Sequence, residues 1–236
     1  DTLAAQCLEM ARELFAREEP VAGAKLHAAV ELYLTTGDAV YRNYILRNQA
    51  AVIKNIGRNA PILARLARQW EQQGDKQERR FAATFRKALP ACVEQMKNEA
   101  AKTPYGVPYE PSIWGAGWGI QSFGVKYYYL TKYYPELFEP QPVYSALDFI
   151  LGCHPGSNTA SFASGVGAKS ATVAYGTTRA DWSYVPGGVV SGTAIIRPDF
   201  PELLEFPYLW QQTEYVLGGG SSDYMFLVLA AKHLMK

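Results

Sequence analysis

"AKLHAAVELYLTTGDAVYRNYIL", residues 24–46, decides the fold class. Leu26, Ala29, Val30, Tyr33 and Leu34 recur at the spacing that sets them on one helical face. Gly37 then provides a residue able to close a helix, and Asp38 one able to cap the next. Tyr41, Tyr44, Ile45, Ala51 and Val52 carry the same period onward. Helix, tight turn, helix is the unit that this stretch predicts.

The unit repeats on both sides. Upstream, Leu3, Cys7, Met10 and Leu14 share a face. Downstream, "QGDKQE" offers Gly74 as a stop, Asp75 as N-cap and Glu78 in capping-box position. Phe81, Phe85, Leu89, Cys92 and Met96 predict a longer helix in which Pro90 imposes a kink or a break. Residues 1–102 therefore read as antiparallel helix pairs, with a spacing too irregular for a short regular repeat.

From about residue 103 the composition shifts, and residues 103–236 read as a loop-rich half in which Gly, Pro, Ser and aromatic residues crowd between fewer helices. "TPYGVPYEPSIWGAGWG" precedes a helix bearing Ile120, Phe123, Tyr127 and Leu130, and "VYSALDFILG" predicts another. Residues 152–208 carry almost no helical period. So long an irregular stretch is expected to fold over one end of the helical body and line a groove.

Composition narrows the partners. The chain has 236 residues, 48% of them hydrophobic, enough for one substantial core. Lys plus Arg number 23 and Asp plus Glu 22, without a block of either sign, so neither nucleic acid nor an anionic membrane is expected as partner. No apolar run reaches membrane-spanning length. Cys7, Cys92 and Cys153 are odd in number and far apart, which predicts buried thiols rather than disulfides or a zinc site. His27, His154 and His233 lack metal-ligand spacing, and a loop histidine such as His154 reads as a hydrogen-bonded structural residue.

Glu214 is the conspicuous charge. It precedes three glycines, two serines and an apolar run in "WQQTEYVLGGGSSDYMFLVLAA", residues 210–231. Among Trp210, Tyr215, Val216 and Leu217, a carboxylate either pairs with a cation such as Arg179 or has its pKa raised, as a general acid requires. Trp114, Trp118, Trp182 and Trp210 lie in Gly-rich loops or at a helix edge, where a flat ring serves either to stack on a sugar or to pack. Asp223 is expected one turn into the last helix, with Ser221 or Ser222 as cap. "LGGGSSD" lacks the lysine of a phosphate cradle, and Ser164 lacks the glycine two residues earlier that a nucleophile elbow needs.

In order, "AAVELYLTTGD", "SIWGAGWGIQSFGVKYYYL", "YSALDFILGCHPGSNTASFASGVG" and "QQTEYVLGGGSSDYMFLVLAA" resemble the C-terminal half of the catalytic domain of family 9 glycoside hydrolases. The resemblance spans nearly the whole chain. It implies an all-α, (α/α)6 barrel-like fold of paired helices, and inverting hydrolysis of a β-linked glucan or related glycan. It further implies a secreted or periplasmic location, an oligo- or polysaccharide as substrate, no required cofactor and, in many members, a bound structural calcium. Glu214 falls where that family keeps its general acid, and Arg179 where it keeps a substrate-binding arginine; Tyr175, beside it in the chain, and the four tryptophans read above as stacking candidates are expected as further substrate contacts. Tyr175, Gly176, Thr177 and Thr178 stand where a histidine pair is expected, Thr213 replaces an asparagine ahead of the acid, and His154 another in "LGCHPG". Sugar contacts there must differ.

Inversion also needs a second carboxylate, about 6.5–9.5 Å from the acid, to activate water. The family's Asp-x-x-Asp motif is not found: Asp1, Asp38, Asp75, Asp148, Asp181, Asp199 and Asp223 are widely separated. The base is therefore expected from an N-terminal half of the catalytic domain that this chain lacks, and the chain alone is expected to be inactive. The readings set against this are a helical carbohydrate-binding or interaction scaffold without chemistry and, less favoured, another toroidal sugar enzyme such as an epimerase or lyase. Any calcium would draw on loop carbonyls and carboxylates such as Asp181 or Asp199.

Overall fold

A computed structural model of the chain describes residues 2–17, 23–109, 116–154, 160–167, 169–170, 186–190 and 219–236. Its helices are α1 (Thr2–Ala16), α2 (Ala24–Thr36), α3 (Ala39–Arg47), α4 (Gln49–Lys54), α5 (Ile56–Gln73), α6 (Lys76–Ala100), α7 (Ala116–Tyr133), α8 (Gln141–Ile150) and α9 (Gly219–Leu234). Among the described residues the only strands are β1 (Ala160–Ser161) and β2 (Lys169–Ser170), paired in parallel with Ala160 opposite Lys169. The fold is all-α, built from packed helix pairs. The chain divides into two compact units, Asp1–Gln95 with Lys132–Leu137, and Met96–Thr131 with Phe138–Lys236.

In the first unit α2 packs on α1, α3 and α5, and α4 on α5. Gly37 ends α2 as expected: at φ +74° its N–H reaches Tyr33 O at 2.8 Å, a left-handed closure that side chains with a Cβ resist. Asp38 occupies the N-cap position of α3 but makes no side-chain cap; its carboxylate accepts from Arg12 Nη2 at 3.2 Å instead. An ionised donor makes the stronger bond than a neutral amide, so the expected cap gives way. The second capping signal holds. Asp75 Oδ1 accepts from the backbone N–H groups of Gln77 (2.7 Å) and Glu78 (2.9 Å), and Glu78 Oε2 accepts from that of Asp75 at 2.8 Å.

The core of this unit is a column of rings. Tyr33 meets Trp70 edge-on at 5.7 Å, Trp70 meets Phe81 at 5.2 Å, Phe81 stacks toward Phe85 at 6.5 Å and Phe85 reaches Tyr134 at 6.1 Å. Phe81, Phe85, Leu89 and Cys92 are fully buried, and of the kink or break expected at Pro90 the break does not occur: α6 continues through it. A proline inside a helix costs about 3 kcal/mol, while burying one large apolar side chain returns about 1.5–3 kcal/mol. Several such side chains on one face outweigh it, and Pro90 itself lies on the exposed side.

Two features depart from the period. Tyr41 through Val52 is not one helix: the chain turns out of helical geometry at Asn48 (φ −89°, ψ 7°) and again at Asn55 (φ −115°, ψ 42°). On α1 the face that packs holds Leu8, Ala11 and Phe15, whose ring stands edge-on to Tyr41 at 4.9 Å. Leu3, Met10 and Leu14 instead lie on the exposed face, 67%, 62% and 58% accessible. The thiols correct the sequence reading too. Cys92 is buried, but Cys7 lies on the exposed face of α1, and Cys153 is exposed in the turn after α8.

In the second unit α9 packs on α8, and Ile120, Phe123, Tyr127 and Leu130 of α7 are all buried, as their spacing predicts. Gly124 permits the closest approach there: a Cβ at this position would stand 2.7 Å from Ala146 Cβ and 2.8 Å from Leu227 Cδ1. Phe149 is the aromatic hub, with the rings of Tyr109, Tyr105 and Phe162 at 5.1, 5.7 and 6.0 Å.

Candidate functional site

The second unit holds the anchors of every residue that the sequence selects for chemistry. The C-terminal end of α8 is tied down by short strips of backbone. Phe162 N–H donates to Ile150 O at 2.8 Å, Val190 N–H to Phe162 O at 2.8 Å, and Ser164 N–H to Gly188 O at 2.8 Å. Gly167 closes the strip at φ +81°, so near Leu151 that an added Cβ would stand 2.9 Å from its carbonyl oxygen. "LGCH", "SFASGVG" and "GGVV" are thus knitted into one platform.

Two polar residues of this platform do structural work. His154 is buried and stacks on Phe162 at 5.1 Å. Ser164 directs Oγ to Gly188 O at 3.1 Å, which uses its proton within the platform rather than readying it for a substrate.

Of the predicted site residues, Trp118 is described. It lies in the first turn of α7, half-buried. Trp114, Tyr175, Arg179, Trp182, Trp210 and Glu214 lie outside the described residues, as do Asp181 and Asp199. Their places in the chain are nonetheless bounded. Trp114 stands two residues ahead of α7, residues 175–182 run between β2 and the 186–190 strip, and Glu214 stands five residues ahead of α9.

Asp223 is half-buried within α9. Burial pushes its carboxyl above the ordinary range, while Lys126 on α7 pulls it the other way. Ser221 and Ser222 do not cap this helix, which begins at Gly219 and contains both.

Gln121 is a residue that the motifs did not single out. One turn beyond Trp118, it is fully buried, and neither its Oε1 nor its Nε2 has a hydrogen-bond partner among the described residues. A buried primary amide left so costs on the order of 1–3 kcal/mol. The signal was present in "GWGIQSFGVKYYYL" as an amide between Ile120 and Phe123, on a helix rich in apolar and aromatic residues. Trp118 and Gln121 lie three positions apart, on one side of α7, with the ring half-buried and the amide fully enclosed.

Among the described residues no three His, Cys, Asp or Glu side chains gather into a group able to hold a metal ion. No described helix is long and apolar enough to cross a membrane. No family model matches the chain, and no curated protein matches it.

Proposed function

We propose that this chain is the later half of an (α/α)6 glycoside hydrolase catalytic domain of the family 9 kind, acting on a β-linked glucan or a related glycan with inversion. One observation supports the reading: three of the four resembling segments lie in the second unit, in sequence order along it, while "AAVELYLTTGD" lies on α2 of the first. Trp118 and Gly119 lie in the first turn of α7, "LGCH" follows α8, "SFASGVG" is hydrogen-bonded back to that end, and Glu214 precedes in sequence α9, which packs on α8.

In this reading Glu214 is the general acid. As the bond from the anomeric carbon to the leaving oxygen breaks, that oxygen takes the Glu214 proton. Water attacks the anomeric carbon from the opposite face and gives its own proton to a carboxylate about 6.5–9.5 Å away. That base comes from a segment outside these 236 residues, because the aspartates here are scattered. Arg179, Tyr175, Trp114, Trp118, Trp182 and Trp210 would hold the sugar chain. Gln121, fully buried on α7 one turn beyond Trp118, would join it as a contact only where binding uncovers its amide.

The test is Glu214→Gln in the protein together with its base-bearing segment. Hydrolysis is expected to fall by about 10²–10⁴-fold with glycan binding retained, and the unsubstituted enzyme should release product of inverted anomeric configuration, read by proton NMR. Unchanged turnover in the variant would overturn the assignment of Glu214. Hydrolysis by the 236-residue chain alone would overturn the need for an outside base. Glycan binding with no hydrolysis in either protein would establish the binding scaffold instead.

A further inference from the structure

α1 is a helix without a single buried residue. Its Leu8, Ala11 and Phe15 are half-buried, while Leu3, Cys7, Met10 and Leu14 stay exposed. These four recur at intervals of four, three and four residues, the a and d positions of a heptad seam. Beside the seam a groove of about 550 Å³ runs between α1 and α2, walled by Cys7, Ala11 and Leu14 on one side and by Ala24, Ala28 and Leu32 on the other. A helix of 15 residues is marginal on its own in water. The seam therefore gains from a cover, and the groove has room for side chains of another helix.

Both parts of a knobs-into-holes contact occur on this one helix: Met10 stands on the seam outside the groove, and Cys7, Ala11 and Leu14 line it. Two copies of α1 related by a two-fold axis and running antiparallel would set Met10 of each level with Cys7 of the other, and Leu3 with Leu14. In that register the flanking positions agree as well. Ala4 falls beside Ala11 of the other copy, which lets the backbones approach, and Gln6 beside Glu13, an amide donor beside a carboxylate. Glu9, Arg12 and Glu13 each meet the uncharged stretch Thr2–Leu8, so no like charges face one another. A parallel pair would instead align the two helix dipoles and set Glu13 level with Glu13. We infer that α1 is a self-association surface, pairing two copies of this chain antiparallel along Leu3, Cys7, Met10 and Leu14. One such helix per copy makes an interface at the small end of specific contacts, below about 1,200 Å², so the dimer forms in the micromolar range. The surface lies in the first unit and requires nothing of Glu214.

Sedimentation velocity of the 236-residue chain between about 1 and 300 µM tests this, with a monomer–dimer equilibrium expected. Over the same range, labelling of Cys7 should slow from its rapid rate in dilute solution, while Cys153 keeps its rate. Met10→Glu and Leu14→Glu place charge at exposed positions of α1, so circular dichroism should stay native while association weakens about tenfold or more. Met225→Glu and Leu229→Glu, similarly exposed on α9, should leave association unchanged. A chain that stays monomeric throughout overturns the proposal, as does association that survives the α1 variants or is lost with the α9 ones. So does a monomer in which the base-bearing segment of the proposed hydrolase shields Cys7 at every concentration, because that segment, not a second copy, then covers the seam. Dimerisation of a protein that Glu214→Gln leaves fully active would keep this surface and remove the proposed general acid.

Discussion

Arg42 Nε lies 2.8 Å from Glu78 Oε1, and the same carboxylate oxygen accepts from Tyr33 Oη at 2.8 Å. One buried glutamate therefore ties α2, α3 and α6 together while its other oxygen completes the capping box with Asp75, which Arg42 also contacts.

Burial alone would raise the Glu78 carboxyl, but the Asp75 N–H, Arg42 and Tyr33 hold it below its ordinary range; Asp75 is lowered as well, chiefly by the Glu78 N–H. A carboxylate whose folded pKa is depressed stabilises the fold at pH above its unfolded value, and that contribution is lost as pH falls through the folded value. Denaturant titrations are therefore expected to show constant stability near neutrality and a decline beginning below about pH 4.5. Glu78→Gln should lower the neutral plateau and flatten the acid decline. An unchanged acid limb in this variant would show that the cluster does not couple folding to protons.

Gly119 and Gly124 sit in the same helix, yet the same substitution should act on them with opposite sign. Nothing lies within 4 Å of the Cβ position of Gly119, so alanine there is expected to stabilise by about 0.5–1 kcal/mol through helix propensity. At Gly124 the new methyl would overlap Ala146 and Leu227. Overpacking of this kind costs about 1–3 kcal/mol, enough to exceed the propensity gain. Urea unfolding of the two variants reads the difference, and equal shifts would mean that α7, α8 and α9 are not packed as described.

The contrast shows how much the sequence could disclose. Gly37, Asp75 and Glu78 were legible because their partners lie within a few residues, and Ile120 to Leu130 because burial follows the helical period. The breaks at Asn48 and Asn55 were not, since an asparagine that turns its amide back on a carbonyl looks in sequence like any polar helix residue. Nor was the exposed side of α1: a period says which residues share a face, not whether anything covers it. For the candidate site the sequence went furthest through motif order. Glu214, Arg179, Tyr175, Trp114, Trp182 and Trp210 lie outside the described residues, and Gln121 became a candidate only once its burial was known.

Thiol reactivity offers an inexpensive check of the packing. Cys7 and Cys153 are exposed, whereas Cys92 is buried and burial pushes its thiol up to about 11. The thiolate is the reacting form. An aromatic disulfide reagent at pH 8 should label two thiols of the native chain rapidly and the third only on unfolding, with Cys92 identified by mass spectrometry as the late site. Rapid labelling of Cys92 would mean that α6 does not bury the face bearing Phe81, Phe85 and Leu89.

Gln121→Leu separates a cost to the fold from a gain in binding. A leucine of similar reach replaces a buried amide that has no partner among the described residues, so stability is expected to rise by about 1 kcal/mol. If the amide instead serves a sugar, the same variant loses a hydrogen bond to the ligand, and glycan affinity should drop about fivefold while kcat, which the proposed mechanism assigns to Glu214 and its base, changes less. Calorimetry with a cello-oligosaccharide measures the affinity and thermal unfolding the stability, on one preparation. A stabilised variant with undiminished affinity would remove Gln121 from the site, and a destabilised one would show that the amide is bound within the protein. Higher stability together with weaker binding is the pattern expected where a polar group is kept in an apolar helix for its ligand rather than for its fold.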